Sequence, residues 1–133
     1  MSHRLWPLCT LIAILSGCQA NLAGTWFGPC VFSDATYGYT SQVTLDITNG
    51  AGSRLEGEVR VDMFDDRVLE GVVEGIRSDS YLELEGTLKQ SDAVDRFPFR
   101  VEAEYADETM EGTCVLGVPR GIGGLTGALL LEG

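Results

Sequence analysis

The sequence predicts an all-β protein: one small antiparallel up-and-down β-barrel of about eight strands, which follows an apolar N-terminal segment. Three observations predict this fold. Apolar and polar residues alternate with period two after residue 23, turn-forming residues separate the alternating runs, and no stretch has the 3.6-residue period of an amphipathic helix. Removing 17 residues from the 133 of the chain leaves 116, and eight units of ~14 residues, each a strand and a turn, nearly fill that length. A β-sandwich of the same strands is the alternative.

The first element is an N-terminal leader, residues 1–17. Residues 1–4 carry one positive charge, on Arg4, and residues 5–15 are almost entirely apolar. This run is long enough for the core of a signal peptide but too short to cross a bilayer as a helix, which takes about 20 residues. We therefore expect a signal peptide that is removed from the mature protein together with His3, the only histidine of the chain.

A cysteine follows the leader directly. The segment Leu15-Ser16-Gly17-Cys18 resembles the lipobox of bacterial lipoproteins: a branched apolar residue, two small residues and a cysteine. The resemblance implies cleavage after Gly17, a diacylglycerol on the Cys18 sulfur and usually a further acyl chain on the new amino terminus. Two or more chains hold a protein stably on a membrane. An ordinary thiol behind a secretory leader is the alternative.

The residue after this cysteine bears on which membrane would hold the protein. Aspartate at that position of Gram-negative lipoproteins implies retention in the inner membrane, and this chain has Gln19. The resemblance therefore implies a protein of the cell envelope that is lipid-anchored to the outer membrane. Residues 18–23 are then the lipidated cysteine and a short linker, and residues 24–133 are the barrel domain.

The strands follow from the alternation and from the turns between the runs. Val43, Leu45 and Ile47 share one face of a strand, and the dipeptide Asn49-Gly50 that follows is typical of a hairpin turn. The same reasoning predicts eight strands in all: residues 24–32, 40–48, 55–63, 68–77, 81–88, 96–105, 109–116 and 125–132.

Seven glycines take inward positions in these strands. An inward glycine lets a strand bend or lets a neighbouring chain come close, as a small closed barrel requires. The alternative is that the missing side chains leave volume for a ligand. The seven are Gly28, Gly57, Gly71, Gly75, Gly86, Gly112 and Gly127.

The first predicted strand opens with Gly24-Thr25-Trp26, which resembles the Gly-x-Trp motif of the calycin barrels: lipocalins, fatty-acid-binding proteins and avidins. The resemblance implies an up-and-down barrel in which Trp26 closes one end and the other end opens to a small ligand. Lipocalins carry a basic residue near the last strand that packs on this tryptophan, whereas here the nearest candidate, Arg120, precedes the last strand. We interpret Trp26 as part of the core rather than as a ligand contact.

Two cysteines of the mature chain point inward. Cys30 is four residues after Trp26, and Cys114 is two residues before Leu116, so each cysteine lies on the same side of its predicted strand as an inward apolar residue. In an oxidising compartment such a pair predicts a structural disulfide. Free thiols with a redox role are the alternative, but the two residues are not spaced as Cys-x-x-Cys.

Charge and composition exclude several functions. The chain carries 9 Lys plus Arg and 20 Asp plus Glu, a net charge of −11, which opposes binding to nucleic acid. The mature protein has no histidine and no serine-nucleophile motif, and its glycine-rich segment 121–127 lacks the Gly-Lys-Ser/Thr of a P-loop. The loop residues Asp62, Asp65 and Asp66 match no complete calcium loop. We expect no enzyme activity, no metal and no cofactor.

Carboxylates concentrate at outward positions and predict an acidic exterior. Glu83 and Glu85 stand two residues apart on one face, near the separation of a glycosidase acid pair, but exposed carboxylates of this kind form a solvated surface. The outward carboxylates are Glu56, Glu58, Glu70, Glu74, Glu83, Glu85, Glu102 and Glu104.

Two non-enzymatic functions remain. In the first, the barrel is an interaction or structural module of the envelope that presents its acidic surface and the loop of residues 33–39 to a partner. In the alternative, it carries an apolar small molecule, and Trp26, Phe97 and Phe99 are among the residues that face the ligand or the core. The inferred lining offers almost no polar group to orient a ligand, whereas small-molecule sites include a few. The interaction module therefore ranks first.

Overall fold

The computed structural model describes residues 21–33, 38–119 and 124–133. They form eight antiparallel strands that close into one barrel, in which each strand pairs with the next along the chain and the last pairs with the first. This confirms the predicted up-and-down barrel over the β-sandwich. No helix within these three ranges has the length and apolarity that crossing a bilayer requires. The strands are β1 (Gly24–Ser33), β2 (Gly38–Asn49), β3 (Arg54–Asp62), β4 (Val68–Ser78), β5 (Tyr81–Gln90), β6 (Arg96–Ala106), β7 (Thr109–Gly117) and β8 (Gly124–Glu132).

Aspartate residues shape the tight turns between strands. Asp79 and Asp107 have φ angles of 52° and 54°, and each begins the short connection of a hairpin, β4 to β5 and β6 to β7 respectively. Aspartate adopts this left-handed conformation more readily than most residues. The turns hold each hairpin in register, so that Ser78 lies opposite Tyr81.

Inward side chains fill the barrel. β3 shows the pattern clearly, because Leu55, Gly57, Val59 and Val61 are buried and the residues between them are exposed. All eight strands contribute buried apolar residues, so the core continues around the barrel. Its largest fully buried side chains include Trp26, Phe32, Leu45, Ile47, Leu69 and Leu84.

Neighbouring strands come very close at inward glycines. A Cβ atom built on Gly75 would lie 1.7 Å from the carbonyl oxygen of Glu83 on β5, and one on Gly112 would lie 2.0 Å from that of Glu102 on β6. Neither position leaves room for a side chain larger than hydrogen. These distances support the interpretation of the inward glycines as points of close approach.

A disulfide joins Cys30 on β1 to Cys114 on β7, as predicted, and both residues are fully buried. The bridge crosses β8, which lies between those strands, since Cys30 is opposite Leu129 and Cys114 is opposite Gly127. A Cβ on Gly127 would lie 2.9 Å from Cys30 Sγ, so glycine makes room for the bridge. The disulfide reinforces the seam between β1 and β8, where Pro29 has no N–H to donate.

The chain itself closes the end of the barrel at which β1 begins, and we call this end the base. Leu22 is 1% exposed, and its backbone N–H donates to the carbonyl oxygen of Gly50 at 2.9 Å. The indole N–H of Trp26 donates to the Leu22 carbonyl oxygen, also at 2.9 Å. The residue two places before β1 is thus part of the folded barrel.

A buried arginine, Arg77, completes the base. The residue is 4% exposed, its Nε donates to the Gly52 carbonyl oxygen at 2.9 Å, and its Nη2 donates to that of Ala51 at 3.1 Å. Its guanidinium lies 5.8 Å from the centre of the Tyr105 ring. It forms no ion pair with any carboxylate of the described residues. Arg77 therefore ties the turn between β2 and β3 to β4 and β6 through neutral groups.

Replacing Arg77 by leucine is expected to lower the free energy of unfolding by about 2 kcal/mol, because hydrogen bonds from charged groups are strong and two turn carbonyls lose their donors. Urea denaturation followed by tryptophan fluorescence measures the change. Arg54→Leu, at an exposed position on β3, removes the same charge and should change stability by at most about 0.5 kcal/mol. Equal losses in the two variants would contradict this role of Arg77.

Candidate functional site: the outer face of strands β3 to β6

The outward side chains of β3, β4, β5 and β6 form one surface, which we call the outer face. Because the four strands pair in register, their outward residues stand side by side in rows. The central row runs from Glu56 on β3 through Glu74 on β4 and Glu85 on β5 to Arg100 on β6. Three carboxylates of this row are therefore neighbours at the ~4.8 Å spacing of paired strands.

None of these three carboxylates forms an ion pair within the part of the chain that the structure describes. The cation of the row, Arg100, binds instead to Glu102 at 2.8 Å and lies 4.0 Å from Glu83. Like charges directly opposite each other destabilise a sheet. The central row thus lowers the stability of the isolated barrel.

Exposed apolar side chains flank the central row on β4. Val72 is 68% exposed and Ile76 is 57% exposed, and Glu74 lies between them on the same face of the strand. Successive positions on one face of a strand are ~6.6 Å apart. The outer face thus presents an apolar, an acidic and an apolar group in a line.

Three adjoining grooves surround the pair of Glu74 and Glu85. Their volumes are ≈ 410, ≈ 460 and ≈ 470 Å³, and both carboxylates line all three. Ile76 lines the first groove, and Val72 lines the third. The grooves lie outside the barrel, so a bound chain can contact the carboxylates and the apolar groups together.

Beside the central row, other carboxylates already have partners. The Tyr81 hydroxyl lies 3.2 Å from one oxygen of Glu83 and 3.2 Å from one oxygen of Glu102. Partial burial, with the hydrogen bond to Glu83 and the charge of Glu102, raises the pKa of Tyr81 to about 12. The hydrogen bond from Arg100 holds the pKa of Glu102 below its usual value. Glu83 and Glu102 thus have side-chain partners, whereas no ion pair among the described residues involves the carboxylates of the central row.

The candidate residues of the core point into the barrel, and Phe99 also lines the second groove of the outer face. Trp26 is fully buried and Phe99 is 3% exposed. Phe97 is half-buried and packs against the core, and the Arg67 guanidinium lies 5.9 Å from the centre of its ring. Cys18, the predicted lipid attachment, lies outside the described residues.

The loop candidates lie at the end of the barrel opposite the base. Tyr39 stacks on Phe64 with ring centroids 4.4 Å apart, and Phe64 is 50% exposed. Residues 34–37 of the predicted partner loop and 121–123 of the glycine-rich segment lie outside the described residues. Asp65 forms an ion pair within its own loop. Among the described residues, no three His, Cys, Asp or Glu side chains are grouped so that they could hold a metal ion.

Sequence reasoning missed the most informative residues of the outer face. Val72 and Ile76 are apolar at positions where the alternation calls for polar residues, and this signal was available in the sequence. The adjacency of Glu56, Glu74 and Glu85 left no such signal, because it depends on the register between three strands.

Comparisons of the chain with protein-family models, with curated proteins and with solved structures find no match.

Proposed function

We propose that this protein is a non-enzymatic lipoprotein of the cell envelope, held on the outer membrane through lipid on Cys18, whose acidic barrel is an interaction module. The observation that carries the proposal is the outer face, where exposed apolar side chains meet carboxylates that have no ion pair among the described residues, in surface grooves. Apolar groups rimmed by polar ones on a soluble domain are typical of sites that bind other proteins.

The interior of the barrel favours an interaction module over a carrier. Side chains as large as Trp26 and Phe32 are fully buried in it. The buried polar side chains engage protein groups: Arg77 binds turn carbonyls, and the Ser41 hydroxyl contacts the Met63 sulfur at 3.7 Å. A carrier needs polar groups that are free to orient its ligand.

The start of the barrel is compatible with a short tether. Leu22 is held in the base by the hydrogen bond to Gly50, so residues 19–21 alone separate it from Cys18. A chain extends by at most about 3.6 Å per residue, so the four steps from Cys18 to Leu22 span no more than about 14 Å. An anchor at Cys18 would therefore keep the base near the bilayer.

Cys18→Ala is expected to abolish labelling with radioactive palmitate and to release the protein from the membrane fraction, because the acyl chains supply the attachment. The measurement is made in a bacterium that processes lipoproteins, with and without globomycin. Cys9→Ala in the leader is the matched control, since it also removes a cysteine but should leave labelling unchanged.

Retention of the Cys18→Ala protein on membranes would contradict the anchor. The interaction module has a separate test, which is organic extraction of the purified protein followed by mass spectrometry. A noncovalent apolar molecule present in a one-to-one ratio would favour the carrier and overturn the proposed role of the outer face.

A further inference from the structure

The outward side chains of β4 include a line of three residues that is suited to binding a partner: Val72, Glu74 and Ile76. Both apolar residues are more than half exposed, although threonine would suit the same outward positions of a strand. Exposed apolar groups on a sheet favour unwanted association. Two of the three grooves place these groups beside Glu74 and Glu85, which have no ion pair among the described residues. Carboxylates outnumber cations in both grooves, whose cationic side chains are Arg54, Lys89, Arg96 and Arg100.

The negative charge of the protein limits which kind of partner can bind over this line. The chain has a net charge of −11, so a second copy would bring further negative charge against the carboxylates of the central row. An anionic bilayer surface would be repelled for the same reason. A cationic polypeptide is the complementary partner, because opposite potentials across an interface favour encounter and register.

We propose that the outer face docks an extended, Lys- or Arg-bearing segment of a partner protein. The segment lies along β4, and every second side chain faces the barrel at the same ~6.6 Å interval as the strand below it. Apolar side chains cover Val72 and Ile76, and a basic side chain between them reaches Glu74. The same basic side chain also lies beside Glu56 and Glu85, which flank Glu74 on the adjacent strands. The inference rests on the proposed function and names the chemistry of the partner.

A fluorescein-labelled peptide that repeats Val-Ser-Lys-Ser carries this pattern. Its dissociation constant for the full-length protein in nonionic detergent is measured by fluorescence anisotropy. Glu74→Gln with Glu85→Gln should weaken binding by about tenfold or more, because the peptide cations lose their partners. Val72→Thr with Ile76→Thr should weaken it by about fivefold, because apolar contact area is lost.

Two control variants test whether the effects are specific to the three grooves. Glu104→Gln with Glu111→Gln removes another cross-strand pair of carboxylates, outside the three grooves. Val31→Thr alters an exposed valine on β1. Each should change the affinity by less than about twofold at physiological salt, where charges more than about 8 Å from the peptide are largely screened.

A second peptide, which repeats Ser-Ser-Lys-Ser, has the same charge without valine. It should bind the natural protein about fivefold more weakly than the first peptide, and Val72→Thr with Ile76→Thr should not change its affinity. Thermal melting of every variant verifies that the barrel is folded, since threonine keeps a high strand propensity.

Equal effects of the two glutamate pairs would overturn the proposal, because they would show diffuse attraction between charges. Affinity that is insensitive to Val72 and Ile76 would overturn it as well. So would a dimer of the natural protein that Val72→Thr with Ile76→Thr abolishes, since a second copy would then cover the surface. The anisotropy assay measures no membrane attachment, so its failure is distinguishable from failure of the lipid anchor.

Discussion

Replacing Cys30 and Cys114 together by alanine is expected to lower the free energy of unfolding by about 4.5 kcal/mol, the chain-entropy value for a loop of this size. The bridge spans 84 residues of sequence, so it removes much of the freedom of the unfolded chain. In the folded barrel the backbone pairing of β8 with β1 and with β7 already brings the two positions together. Guanidinium denaturation without reductant, compared with the oxidised natural protein, measures the loss.

The single variants provide the control for this result. Either Cys30→Ala or Cys114→Ala breaks the bridge, so each single variant should lose almost as much stability as the double variant. The natural protein should approach the same value when dithiothreitol is added. If each single variant instead lost half of the effect and the double variant lost the sum, packing of the two side chains would account for the stabilisation and the cross-link would not.

Gly75→Ala is expected to lower the free energy of unfolding by about 3 kcal/mol or more, or to prevent folding, because overpacking against rigid backbone is strongly destabilising. The added Cβ would lie 1.7 Å from the carbonyl oxygen of Glu83 and 2.9 Å from the Leu84 Cα. Both atoms belong to the backbone of β5, so no side-chain rotation relieves the contact. The loss is measured as the shift of the urea midpoint, and circular dichroism reports whether the barrel forms.

Gly52→Ala is the matched control, since Gly52 lies in the turn between β2 and β3 with no atom within 4 Å of an added Cβ. That variant should change stability by no more than about 1 kcal/mol. If Gly75→Ala were as stable as the natural protein, β4 and β5 would be able to separate locally. That result would contradict the conclusion that close approach of β5 requires glycine at position 75.

Much of the fold could be predicted from local pattern. The predicted strands overlap all eight observed strands, and their ends differ from the observed ones by at most two residues. The differences have physical causes. β5 continues through Lys89 and Gln90, where two polar residues end the alternation, yet they still pair with Glu70 and Leu69 on β4. Backbone pairing does not require that side chains alternate, so it extends beyond the pattern.

The candidate site was only partly predictable. The alternation of inward and outward residues predicted that the carboxylates lie on the exterior. It gave no reason to divide them, so the sequence predicted one solvated surface. Pairing of β3, β4 and β5 brings Glu56, Glu74 and Glu85 into one row, whereas Glu83 and Glu102 share Arg100 and Tyr81. Arg100 with Glu102 and Tyr81 with Glu83 are neighbours within one strand. The row of Glu56, Glu74 and Glu85 arises between strands, so no pattern within one strand contains it.

Arg77 shows the same limit in the core. Arg77 lies on the inward side of β4, as do Leu69 and Val73. The sequence of β4 alone does not show which groups bind a charged side chain at an inward position. Carbonyl oxygens of Ala51 and Gly52, about 25 residues earlier in the chain, satisfy its guanidinium. Leu22, which the sequence pattern placed in the linker, similarly packs into the base because Gly50 and Trp26 meet it there.

The sequence by itself predicted the eight-stranded all-β architecture, the inward pair of cysteines and the acidic exterior, because period-two alternation is a local property of an extended backbone. It also carries the lipobox resemblance, from which the predicted anchor follows. Only the tertiary structure decided that the strands close into a barrel and not a sandwich, and which glycines meet a neighbouring backbone. It also decided which outward carboxylates stand together without an ion pair among the described residues. Strand register and barrel closure set those distances, and both depend on groups that are far apart in the chain.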